Sequence, residues 1–190
     1  MSPAHEPPHL LIPDATPVLP DGAPLPPLPA LPHLDALLKR LRVDDTVTCE
    51  VDAPDTPFER VLARAQGLPA APGHVPWAAF DTCTLNTPCA WLRPCHWQLG
   101  LDHATLLPPD QLALTDAESR ALLAAVQPLL HDDGLALRYL SPGAWLAQGE
   151  LLRDLRTWSM ARAAQQPLTR HVLAQSATPG HGAQLDRLQN

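Results

Sequence analysis

Proline decides most of what this chain can fold into. Of 190 residues 24 are proline, and eleven of these fall within residues 3–32. The pyrrolidine ring fixes φ and removes a backbone donor, so a helix or a central strand is not compatible with that density. Residues 15–32, with Pro17, Pro20, Pro24, Pro26, Pro27, Pro29 and Pro32, therefore read as an extended, polyproline-like connector. Segments of this kind also serve as ligands for aromatic-lined grooves, but composition alone asks only for a linker. Residues 1–8 are polar and expected to be disordered, and His9-Leu10-Leu11-Ile12 reads as a short buried strand stopped by Pro13 that docks on the main domain.

Beyond the connector the chain looks like an ordinary folding domain. Apolar residues make up 45% of the whole, enough for a core, while charged residues are 17%, below the usual share of about 25%. Leu34, Leu37, Leu38 and Leu41 form an i, i+3, i+4, i+7 stripe that predicts a helix over 33–42. Thr46 to Val51 alternates and is β-branched, as a strand would be. Thr56-Pro57-Phe58-Glu59 is a capping box with proline at the first helical position, opening a helix over 57–66 that closes on Gly67. Residues 96–107 read as two short strands around a bend. Thr115-Asp116-Ala117-Glu118 opens a helix to about His131, with Leu122, Val126, Leu129 and Leu130 facing inward and Pro128 kinking or shortening its end. Strands over 135–140 and 144–147 follow, then a helical candidate from Leu151 to Gln165. The expectation is an α/β or α+β domain over 33–166, a mixed sheet with helices packed against it, and an irregular or disordered tail over 167–190.

Several function classes are disfavoured. A net charge of −7 argues against holding a phosphate backbone by charge alone. Met1 to Leu10 has neither a basic start nor an apolar run, and no stretch approaches the roughly 20 apolar residues of a membrane span, so a cytoplasmic protein with reduced thiols is expected. No phosphate-loop, dinucleotide or G-x-S-x-G motif occurs, and no motif names a cofactor.

The polar constellations are modest. Cys83, Cys89, Cys95 and His96 are metal ligands by type, but the cysteines are six apart and form no C-x₂₋₄-C pair, and single buried cysteines are common. Asp44-Asp45 and Asp132-Asp133 sit beyond helix ends, where Asp is ordinary. Asp102-His103, at the expected strand bend, is the candidate acid/base or metal pair, against the plainer reading of a turn Asp beside a surface His. Around it, Trp97, Leu99 and Leu101 share one strand face, which places Trp97 in the core.

Three stretches carry a resemblance: His9 to Pro13, Pro94-Cys95-His96-Trp97-Gln98 continuing to Leu107, and Leu114 to Leu130. They resemble bacterial regulatory proteins of the "regulator of pathogenicity factors, type E" kind, whose relatives are also labelled cofactor-independent phosphoglycerate mutase. The resemblance covers roughly residues 9–158 and implies a regulatory protein acting through a protein partner. The mutase label implies a metal-dependent phosphate-ester enzyme instead, with a Ser nucleophile in Asn-Ser and a late Asp-His-Gly. This chain has no Asn-Ser, and its Asp102-His103 is followed by Ala104. The non-catalytic reading is therefore preferred, with the phosphate-ester enzyme as the alternative.

Overall fold

A computed structural model describes residues 10–13, 30–50, 52–84, 86–99 and 104–164, together with the backbone of 175–176. The chain divides into two units, 1–48 and 49–190. Residues 33–48 of the expected 33–166 domain fall in the first of them.

In the first unit, helix α1 spans Pro32–Leu38, with proline at its first position. It is shorter than the expected 33–42 helix because its last bonds tighten to i→i−3, Arg40 N to Leu37 O and Leu41 N to Leu38 O. The leucine stripe is present, yet α1 buries no residue. Leu10, Leu11 and Ile12 form no strand and are exposed, which corrects the expectation for 9–12 so far as these residues are described. Most of the 15–32 connector and of the 167–190 tail lies outside the described residues.

The second unit is α+β, built from helices and antiparallel ladders. Helix α2, Pro57–Ala65, starts as expected: Glu59 N donates to Thr56 Oγ1 at 3.2 Å, and Thr56 N donates to Glu59 Oε2 at 2.8 Å. It ends with Gly67 at φ +69°, Gly67 N bonding Arg64 O and Leu68 N bonding Ala63 O. Helix α3 spans Trp77–Thr82. Strand β1, Cys89–Leu92, pairs with β5, Ala144–Gln148, which in turn pairs with β4, Ala136–Ser141, giving the order β1-β5-β4. The central strand β5 is buried at Trp145, Leu146 and Ala147, so both of its faces are covered. The expected strand over 46–51 is absent at residues 46–50, and Val51 lies outside the described residues.

Strands β2, His96–Leu99, and β3, Ala104–Leu107, form a separate hairpin in which Trp97 faces Leu106 across the ladder. A short helix α4, Pro109–Leu112, leads into α5, Asp116–Asp132, which packs on β4. Its capping box is formed as the sequence requires: Glu118 N donates to Thr115 Oγ1 at 3.3 Å, and Thr115 N to Glu118 Oε2 at 2.9 Å. The Thr115 hydroxyl, donating to Glu118 Oε2 at 2.7 Å, and then the Thr115 N–H hold the Glu118 carboxyl below the usual range.

Two expectations about α5 are corrected. Its inward positions are Ser119, Leu123, Val126 and Leu130, whereas Leu122 and Leu129 are exposed, the latter at 66%. The sheet sets that rotation. Pro128 does not shorten the helix, which runs past it to Asp132; it and Ala124, whose carbonyl it leaves without a donor, are both on the exposed side. The helix instead stops at Gly134, φ +78°, where Gly134 N bonds His131 O and Leu135 N bonds Leu130 O. Leu130 and Leu135, brought together by that motif, join Ala147, Leu151 and Leu152 in the core.

The expected helix from Leu151 to Gln165 is broken into a 3-10 turn at Glu150–Leu152, strand β6 at Leu155–Arg156 and helix α6 at Met160–Ala163. β6 pairs with β7, Gln175–Ser176. Just before the 3-10 turn, Gly149 is nearly fully extended, and a Cβ there would stand 2.5 Å from Gly134 O and 2.8 Å from the Leu135 side chain, so the close approach to the end of α5 needs glycine.

Candidate docking groove

Among the described residues, the second unit carries an open groove of about 760 Å³. One wall comes from α2 and α3, contributing Glu59, Leu62, Trp77 and Asp81. The floor comes from β1 and the hairpin, through Trp91, Arg93, Cys95, Trp97 and Leu106. The far wall comes from residues 152–163, including Leu155, Trp158 and Met160.

Along the link from β1 into β2, alternate residues border the groove. Arg93, Cys95 and Trp97 line the groove, while Pro94, His96 and Gln98 do not. The Pro94–Gln98 run thus splits between two faces, with His96 and Gln98 exposed on the other one. Trp97 is half-buried, not a core residue as the strand pattern led us to expect. The core ring is Trp145, 4% exposed, because β5 is sandwiched and the β2–β3 hairpin is covered on one side only. Leu99, on the same strand face as Trp97, is 84% exposed, so the cover on that face does not reach the end of the hairpin.

A knot of hydrogen bonds holds the far wall against α2. Asp55 Oδ2 accepts from Gly73 N at 2.7 Å, Thr157 N donates to Gly73 O at 2.9 Å, and Ser159 N donates to Pro54 O at 2.8 Å. Gly73 has φ +69°, and a Cβ there would lie 3.1 Å from Thr157 O, so both conformation and space require glycine. His74 Nδ1 donates to Leu155 O at 2.8 Å, since a carbonyl can only accept, and the imidazole borders the groove. Desolvation raises the pKa of the buried Asp55 carboxyl, and the Gly73 N–H and nearby Arg60 oppose that rise only in part.

Part of the polar lining of the groove is already hydrogen-bonded. Glu59 is engaged by Thr56, and Asp81 Oδ2 accepts from Trp91 Nε1 at 3.3 Å. Arg153 makes two bonds to Glu150, at 2.8 and 2.9 Å. Arg93, 6.0 Å from the Trp91 ring centre, faces no carboxylate within ion-pair distance among the described residues. The indole N–H groups of Trp77, Trp97 and Trp158 have no hydrogen-bond partner among the described residues. They are not sealed in either, since the one buried, unpartnered side-chain nitrogen or oxygen found there is Nε of Arg60.

The candidate metal ligands do not converge. Among the described residues no three His, Cys, Asp or Glu side chains gather as a metal site would require. Cys89 and Cys95 line the groove, Cys83 is exposed at the left-handed end of α3 (φ 53°), and His96 is on the other strand face. Desolvation pushes both the Cys89 and the Cys95 thiols up, away from the thiolate that a metal or a nucleophilic role needs, even though Cys95 as a whole residue is exposed. Asp102 and His103 lie outside the described residues. The tryptophan convergence went unread in the sequence, although 5 Trp against 2 Phe and 1 Tyr was its signal. No family model matches this chain, and no curated protein or solved structure matches it. No helix among the described residues is long and apolar enough to cross a membrane.

Proposed function

We propose that this chain is a non-catalytic regulatory or interaction protein that acts through a protein partner. The observation that carries the reading is the gathering of four of the five tryptophans, Trp77, Trp91, Trp97 and Trp158, on one open groove. Tryptophan is enriched where proteins bind one another, because its ring combines a large apolar face with an N–H that seeks a partner. A half-buried cluster of such rings is suited to desolvation by a second surface. The resemblance of Pro94–Gln98 to pathogenicity-factor regulators points the same way, and two members of that run, Cys95 and Trp97, border the groove.

The rival chemistry is a metal-dependent phosphate-ester reaction using Asp102 and His103. Phosphatase and phosphoglycerate mutase assays on the full chain with Mg²⁺ or Mn²⁺ separate the two. The interaction reading expects no turnover above the protein-free rate. Turnover that Asp102→Ala and His103→Ala abolish would overturn it.

A further inference from the structure

The chemistry of the groove identifies the kind of polypeptide it fits. We infer that it is a docking site for a proline-rich strand in the polyproline II conformation, supplied by a partner protein and carrying an acidic residue. The inference rests on the interaction reading above and narrows it to one class of ligand.

Three observations converge. First, the lining is aromatic, with Trp77, Trp91, Trp97 and Trp158 on three sides. Flat indole faces leave slots that pyrrolidine rings fill, and proline loses little conformational entropy on docking because its φ is already fixed. Second, the groove offers donors. Three indole N–H groups, those of Trp77, Trp97 and Trp158, are without a partner among the described residues and are not buried. A polyproline II strand is the complementary ligand, since it makes no internal hydrogen bonds and its carbonyls all point outward as acceptors. A helical ligand would have spent those carbonyls on its own backbone bonds. Third, the charge is complementary. Arg153 is paired with Glu150, and Glu59 and Asp81 keep their charge while accepting from Thr56 and Trp91, whereas Arg93, at the groove and beside the Trp91 ring, has no carboxylate within ion-pair distance among the described residues. One acidic side chain on the incoming strand would meet it.

The test is a binding titration on the full chain. The probe is a labelled synthetic peptide with the sequence of residues 21–32, Asp-Gly-Ala-Pro-Leu-Pro-Pro-Leu-Pro-Ala-Leu-Pro. A control peptide has every proline replaced by alanine. Both peptides are also titrated into a full chain bearing Pro24→Ala, Pro26→Ala, Pro27→Ala and Pro29→Ala, which removes competition from the chain's own densest proline run. Saturable binding of the proline peptide to either chain is expected. The alanine peptide and the Trp158→Ala variant should each bind about tenfold more weakly or worse, and Trp158→Phe, which keeps a ring but lacks the N–H, should be intermediate. Arg93→Gln should weaken binding and reduce its dependence on salt. Equal binding of the alanine peptide through the same tryptophans would overturn the polyproline assignment while leaving the groove a protein-docking site. Absence of binding to both chains, with the far-UV spectrum and unfolding midpoint unchanged, would also overturn it. Turnover in the phosphate-ester assays would instead remove the interaction reading beneath it.

Discussion

Ser119 is the most consequential polar residue in the fold of the second unit. It is wholly buried, donates from Oγ to Pro142 O at 2.8 Å, and accepts from Trp145 Nε1 at 3.0 Å. One hydroxyl thus satisfies both the turn of the β4–β5 hairpin and the ring at the centre of the core. Ser119→Ala would leave a buried indole N–H and a carbonyl unpaired, at about 1–3 kcal/mol each, so a loss of ~2–4 kcal/mol in urea unfolding is expected. A loss below about 1 kcal/mol would show that the network does not hold the hairpin. Asp55 makes a different prediction. Its carboxyl titrates at a higher pH in the folded chain than in the unfolded one, so the folded state binds the extra proton. Its contribution therefore weakens stability as pH rises from the ordinary carboxylate range through the raised value, and restores it as pH falls. Asp55→Asn keeps an acceptor for Gly73 N and removes the titration. The variant should show a flatter unfolding midpoint across the mildly acidic range than the parent, and identical profiles would contradict the assignment.

At the scale of elements, α5 shows what pattern alone can and cannot do. Its start, its capping box and its end near residue 131 were legible, because they depend on neighbours within four residues. Its rotation was not. Leu122 and Leu129 lie at helical spacing with Val126, so they form as good a stripe as the one the sheet selects, and the sequence also offers Ser119 as a polar residue where a core position was needed. Leu130→Ala should cost ~2–5 kcal/mol, whereas Leu129→Ala should stay within about 0.5 kcal/mol. The reverse order in thermal or urea unfolding would mean that α5 is turned the other way. The β2–β3 hairpin teaches the same lesson: its pairing was legible from alternation, but which of its faces is covered depends on chain far away in sequence. Trp97→Ala should cost less than the ~3–5 kcal/mol of a core tryptophan, and Trp145→Ala should reach it. Comparable unfolding midpoints for the two variants would contradict the distinction.

For the whole molecule, the sequence announced the proline-rich segment and concealed the groove. Proline density is a local property that anyone can count. The groove is assembled from α2, α3, β1, the hairpin and the segment before α6, spread over more than half of the chain, so no window of sequence contains it. Its two proposed roles, as a protein-docking surface and as a reader of polyproline strands, both require the same asymmetry among the five indoles. Trp145 is locked into the core through Ser119, Trp91 is tied to Asp81, and Trp77, Trp97 and Trp158 present their N–H groups unpartnered. The measurement that tests this most directly is the ¹⁵N–¹H spectrum of the five indole N–H groups, assigned by single Trp→Phe substitutions and recorded during hydrogen exchange and titration with the proline peptide. The Trp145 resonance should exchange slowest and hold its position, while those of Trp77, Trp97 and Trp158 exchange fast and shift with saturation. Uniform protection of all five, or a shift of Trp145 with the other indoles fixed, would contradict the account.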